Sequence, residues 1–168
     1  MGGRRFALVV ATAAGAGLVP VAPGTCGAAL AIPIFVLLSF LPAALLALSW
    51  GALLALGIWA SERAEGALGR KDDSRIVIDE VVGQLLALAP LLATTSSASL
   101  GWLVTAFVLF RLFDVWKPGP VRWAERRFAG GLGVMLDDVV AGALAALVLA
   151  GIRLLVLGLP GSAGGGAA

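Results

Sequence analysis

The sequence predicts an all-α membrane protein: a polytopic helical bundle with about four to five spans plus a short N-terminal interfacial or re-entrant helix. Three observations predict it. Apolar residues make up 60% of the 168 positions, with a mean hydropathy of +1.02, far above the roughly 45–50% apolar content of soluble domains. The apolar residues fall in runs of helical length separated by short turns or charged segments. The basic residues collect in alternate connections, the bias that orients multi-span proteins.

Composition also excludes functions. Net charge is only +2 and the basic residues are dispersed, so nucleic acid is not a partner, although loop lysines and arginines suit anionic headgroups. The single Cys26 forms no internal disulfide, and no Cys/His spacing suits zinc or an iron–sulfur cluster. With no histidine, Ser-His-Asp triads, phosphohistidine chemistry and histidine-ligated metals drop out. Any metal must be held by oxygen.

Taken in order, residues 2–5 (Gly-Gly-Arg-Arg) precede an apolar run at 6–19. It resembles a signal peptide, but Ala-x-Ala at Ala11 and Ala13 lies inside the run, so an uncleaved segment is expected. About a dozen apolar residues fall short of the ~20 needed to span, hence the interfacial or re-entrant helix. The prolines and glycine of Pro20, Pro23 and Gly24 predict a helix-breaking turn. Residues 28–40 and 42–60 then predict a helical hairpin, and 62–75 a charged loop. The run 76–95 predicts a span with Asp79 and Glu80 one turn inside its start, and 94–99 an uncharged turn. Residues 100–116 return with Arg111 and Asp114 near the end, and 117–132 form a second charged loop. Residues 134–157 leave again, with Asp137 and Asp138 one turn inside. One membrane domain covers 1–159, and the Gly/Ala-rich 160–168 reads as a disordered tail.

Arg4, Arg5 and the two charged loops hold nearly all the basic residues, so these connections are expected on the cytoplasmic side. Arg153, near the far end of the last run, is the exception and is expected to snorkel to the opposite interface. Alternation of the last three spans then puts Asp79/Glu80, Arg111/Asp114/Lys117 and Asp137/Asp138 at similar depth on one side. An ionisable residue within a span costs about 2.5–3.5 kcal/mol on insertion scales, so several together call for partners or a polar cavity.

Taken singly, Asp79-Glu80 and Asp137-Asp138 read equally well as caps of helix N-termini, and Asp114 as a local ion-pair partner of Arg111 or Lys117. Four or five carboxylates against two or three bases in one shallow region instead point to a hard cation such as Mg2+, which takes oxygen ligands and leaves room for phosphate. That combination suits phosphoryl transfer. Arg122, Arg126 and Arg127 are placed at headgroup height, equally as snorkelling residues or ligands. Gly24, Thr25 and Gly27 lie in a turn whose exposed N–H groups suit phosphate as well as they suit a plain helix break. Gly130, Gly131 and Gly133 predict a flexible turn before the last helix, and Cys26 a small packing residue.

Four blocks carry a resemblance: Ala22-Pro-Gly-Thr-Cys-Gly27, DDSRIVIDEVVG from Asp72, FRLFDVWKPGP from Phe110, and GGLGVMLDDVVAG from Gly130. In this order they are similar to the phosphatidylglycerophosphatase A family, bacterial inner-membrane, magnesium-dependent enzymes that convert phosphatidylglycerophosphate to phosphatidylglycerol. The resemblance implies that Asp79, Glu80, Asp114, Asp137 and Asp138 form the catalytic set. Asp79, Glu80, Asp137 and Asp138 would hold Mg2+, and Arg111, Lys117, Arg122 and Thr25 would contact phosphate. Asp72 is a weaker candidate. It also implies a multi-pass protein of the bacterial cytoplasmic membrane acting on phosphatidylglycerophosphate in the bilayer from the cytoplasmic side.

Two competitors differ in class. A CDP-alcohol phosphatidyltransferase would need a motif opening on Asp-Gly, a pair absent from the chain. A small cation carrier or channel would use the same carboxylates but spread them through the bilayer depth.

Overall fold

The computed structural model describes residues 2–71, 73–93 and 99–158, and among these it contains helices and no strands. The helices are α1 (Gly2–Ala11), α2 (Pro23–Leu38), α3 (Ala43–Leu68), α4 (Ile78–Leu88), α5 (Leu100–Trp116), α6 (Gly119–Arg127) and α7 (Gly130–Gly158), with 3-10 segments at Ala13–Leu18 and Ala89–Ala93. Asp72, most of the 94–99 turn and the tail 160–168 lie outside the described residues.

α3 and α7 are long and apolar enough to cross a membrane. At 26 and 29 residues they measure about 39 and 43 Å, against a hydrocarbon core of about 30 Å. The excess carries both beyond the apolar layer. α2 and α5 have 16 and 17 residues, and α4 has 11 continued by the 3-10 segment at Pro90. These shorter apolar helices reach across less of the same distance.

α1 runs only as far as Ala11, where Ala13, Ala14 and Gly15 take positive φ and reverse the chain. Arg4 donates to the Ala67 carbonyl at the C-terminal end of α3, and Gly17 packs on the Arg75 carbonyl. Both ends of the segment, and the Ala11 turn between them, whose carbonyl accepts from the Val77 N–H, therefore lie at one end of the bundle.

Several boundaries differ from the sequence expectation, each for a physical reason. α2 starts at Pro23, not near 28, because proline at the first helical position lacks only a hydrogen that would be unpaired there. α3 continues to Leu68, so Glu62, Arg63 and Glu65 ride on helix, and Gly69 ends it in the left-handed conformation. The second charged loop contains α6, which buries Val121 and Ala124 and exposes Arg122, Trp123, Arg126 and Arg127. α7 begins at Gly130, so the glycines read as a turn are its first helical residues. Arg153 does not snorkel: it is buried, donates to the Pro90 carbonyl and stacks 5.6 Å from the Trp102 ring centroid.

The expected hairpin turn between α2 and α3 is present, but the two helices pack on other partners. α2 lies on α4 and α5, α3 on α1 and α7, and α4 between α2 and α7 is the centre of the bundle. Glycine permits the closest crossing. A Cβ on Gly142 would sit 2.2 Å from the Gly83 carbonyl oxygen, and one on Gly83 2.6 Å from that of Asp138. Small residues let α4 and α7 backbones touch, the usual device where dispersion and close packing hold helices together in lipid. The Trp50 indole donates to the Val82 carbonyl at 3.1 Å and ties α3 to the same helix.

Candidate active site

The charged segments of α4, α5 and α7 meet the uncharged first turn of α2 at one end of the bundle. Asp79 and Glu80 stand in the first turn of α4. Asp138 lies eight residues into α7, about 12 Å from its start by helical rise. Its depth removes the capping alternative for the Asp137-Asp138 pair. The N-terminus of α7 is capped instead from α3, where Glu62 accepts from the Gly131 N–H at 2.5 Å and sits against the positive-φ Gly130.

One oxygen from each of Asp79, Glu80 and Asp138 lies within 4.8 Å of the other two. Asp79 is 9% exposed and Asp138 3%. Asp79 Oδ1, Glu80 Oε2 and Asp138 Oδ2 are buried and accept no hydrogen bond from the protein. Two unit charges at 4.8 Å repel by about 3.5 kcal/mol at an effective dielectric of ~20. Three such pairs in a site walled by α2, α5 and α7 call for a compensating cation. The donor set, all oxygen and carboxylate, fits a hard divalent ion such as Mg2+.

Asp114 and Asp137 surround this triplet. Both act electrostatically on Asp138, and Asp114 also on Glu80. Asp114 binds Arg111 Nη1 at 2.5 Å. Asp137 faces Lys117, whose Nζ lies 3.0 Å from Asp137 and 2.7 Å from Glu125. Lys117 ends α5 at φ 47° and lies beyond the span. Burial there disfavours its charge, yet the contacts to Glu125 and Asp137 outweigh this and raise its pKa above the ordinary lysine value. The ammonium stays charged at neutral pH.

Gly24, in the first turn of α2, brings backbone against the cluster: a Cβ there would meet Glu80 Oε1 at 2.0 Å and Arg111 Nη1 at 3.3 Å. Thr25 is in the same turn, but its N–H and that of Cys26 point to the Ala22 carbonyl, so these amides are used in the fold. Arg122 is not brought to the carboxylates; it lines a shallow cleft with Trp123, Arg126 and Arg127 on the outer face of α6.

Sequence reasoning missed three residues here. Glu62 and Glu125 were hidden in presumed loops, and their partners are far away in sequence. In sequence Gly24 reads equally as a phosphate-facing turn and as a plain helix break, and its contact with Glu80 and Arg111 is the part not visible there. Gln84, one turn after Glu80, is fully buried with neither amide atom hydrogen-bonded to protein. Its i+4 spacing from Glu80 was the available signal.

The α3–α4 connection is held by Asp73, which accepts from Arg75 Nε at 2.7 Å, Nη2 at 2.8 Å and its N–H at 3.1 Å. Hydrogen bonds from the Arg75 side chain hold the Asp73 carboxyl at about 2, against partial burial. Val77 N–H then donates to the Ala11 carbonyl and fixes the start of α4.

Fold and site together define a helical membrane protein with an oxygen-donor cluster flanked by a lysine and an arginine, the outfit of an enzyme that works on phosphate esters. The model of the phosphatidylglycerophosphatase A family matches residues 9–153. Phosphatidylglycerophosphatase A of Escherichia coli K12 is 37% identical over 141 residues, covering 84% of this chain and 80% of that protein. Its namesake in Haemophilus influenzae is 35% identical, covering 86% and 87%. A Bacteroides thetaiotaomicron protein named as a candidate phosphatidylinositol-3-phosphatase is 43% identical over 152 residues, covering 87% and 92%. No solved structure matches. The chain belongs to the phosphatidylglycerophosphatase A family.

Proposed function

We propose that this chain is a Mg2+-dependent phosphatidylglycerophosphatase of the bacterial inner membrane, releasing phosphate from phosphatidylglycerophosphate at the cytoplasmic face. Family membership supports the reaction. The observation that carries the metal is the convergence of Asp79, Glu80 and Asp138, one oxygen of each within 4.8 Å of the others, on carboxylates that each also keep a buried oxygen with no hydrogen-bond partner in the protein. Asp79, Glu80 and Asp138 would hold the ion, which when bound polarises the terminal phosphate and offsets its charge.

The chain's own groups do the rest. Arg111, oriented by Asp114, and Lys117, oriented by Asp137 and Glu125, approach the phosphate oxygens from the α5 side. A carboxylate takes the proton of the attacking water. The new P–O bond forms to the water oxygen, the bond to glycerol oxygen breaks, and that oxygen takes the proton the carboxylate holds, giving the free hydroxyl of phosphatidylglycerol and restoring the carboxylate. Acyl chains stay in the bilayer throughout. The cytoplasmic orientation is supported by Arg4, Lys71, Lys117 and the α6 arginines lying at the acid-bearing end. The carrier alternative has no support from the relatives, and the carboxylates sit at one end of the bundle.

The test is phosphate release from phosphatidylglycerophosphate in detergent micelles. Release with Mg2+, abolished by EDTA and restored by adding Mg2+ back, is the expected result. Release that is indifferent to EDTA would refute the metal site, and no release from folded protein would refute the reaction.

A further inference from the structure

A second polar cavity adjoins the carboxylates on their cytoplasmic side. It holds about 220 Å³ and is lined by Lys71 of the α3–α4 connection, Glu125 of α6, Phe128 and Ala129 between the helices, and Val134 and Asp137 of α7. Three separate segments build it. Asp137 is shared with the Lys117 ion pair, so the cavity opens directly beside the reacting groups.

Its charges are mixed. A compact anion would meet the carboxylates of Glu125 and Asp137, and a cation would meet Lys71. A polyol that also carries one phosphodiester satisfies both: its hydroxyls donate to carboxylates and its phosphate pairs with the lysine. Phe128 offers an apolar face to the carbon skeleton. Relatives named for phosphatidylglycerophosphate and for phosphatidylinositol-3-phosphate flank this chain in similarity. The two named lipids share one feature, a polyol joined to diacylglycerol by a phosphodiester and carrying a phosphate monoester.

Resting on the phosphatase assignment above, we propose that this cavity is the headgroup subsite: it holds the lipid-linked polyol leaving group, and its walls admit both glycerol and inositol. Glu125 and Asp137 accept from the hydroxyls, Lys71 pairs with the diester phosphate, and Ala129 leaves room for the larger ring.

The probes are the deacylated headgroups glycerophosphoglycerol and glycerophosphoinositol, radiolabelled, in equilibrium dialysis against the full-length protein in detergent. Wild type binds both. Lys71→Met, at an exposed position whose loss disturbs no core, weakens both about tenfold, the loss of one charge-assisted contact. Ala129→Phe weakens the inositol compound at least fivefold more than the glycerol one. Variants that bind both like wild type, or a wild type that binds neither, overturn the subsite. Phosphate release from the intact lipids is scored separately, so loss of headgroup binding in the variants alongside an inactive wild type would sink the phosphatase assignment, and with it the leaving-group role, while showing that the cavity binds the headgroup.

Discussion

Replacing Asp138 by Asn keeps the shape of the side chain and removes one of three mutually repelling charges. Two of the three close pairs disappear with it, about 7 kcal/mol of repulsion as an upper limit at an effective dielectric of ~20. Water entering the cleft screens most of that, and surviving effects of single substitutions seldom exceed about 3 kcal/mol. A gain of about 1–2 kcal/mol in EDTA is expected, or roughly +2 to +8 °C in Tm for a chain of this size. Mg2+ acts in the opposite order: at a hundredfold excess over Kd it stabilises wild type by about 2.7 kcal/mol, and the variant by less than a third of that. The five tryptophans report unfolding by fluorescence in detergent, with Mg2+ or EDTA, beside phosphate release. The variant should be inactive, more stable than wild type in EDTA, and nearly blind to Mg2+. A variant less stable in EDTA, with a wild-type Mg2+ shift, would refute the view that Asp79, Glu80 and Asp138 form one charge-repelling metal site.

Glycine substitutions should separate site from scaffold. Gly24→Ala meets the movable end of Glu80, so phosphate release should fall at least tenfold with Tm almost unchanged, whereas Gly142→Ala meets the Gly83 backbone and should cost about 3 kcal/mol or prevent folding. Glu62→Gln removes the anion over the α7 N-terminus and should cost about 1 kcal/mol, read as a Tm drop that added salt reduces. Asp73 is held at about 2, below its ordinary value near 3.8, so its contribution is fully present above pH 4 and lost as pH falls from about 4 to 2; Asp73→Asn should be less stable at neutral pH and lose that acid limb of the Tm profile, and an unchanged limb would place the acid transition elsewhere.

Much of this molecule is legible in one dimension because a bilayer imposes simple rules. Apolar runs of helical length, basic residues confined to alternate connections and the short first run determine an all-helical membrane protein that starts with a short helix. The same alternation places the carboxylates at 79–80, 114 and 137–138 at one end, since three successive helices that reverse direction return their charged ends to a single side. The four motif blocks determine the family. Sequence alone could not divide the acids among tasks, because adjacent carboxylates on a helix point about 100° apart and only neighbouring helices decide which way is inward. Packing of α4 on α7 through Gly83 and Gly142 turns Asp138 toward Asp79 and Glu80, while Lys117, swung back by a left-handed turn, claims Asp137. The helix ends were hidden for the same reason: α7 begins at Gly130 only because Glu62, 68 residues earlier in the chain from Gly130, supplies the cap that glycine cannot.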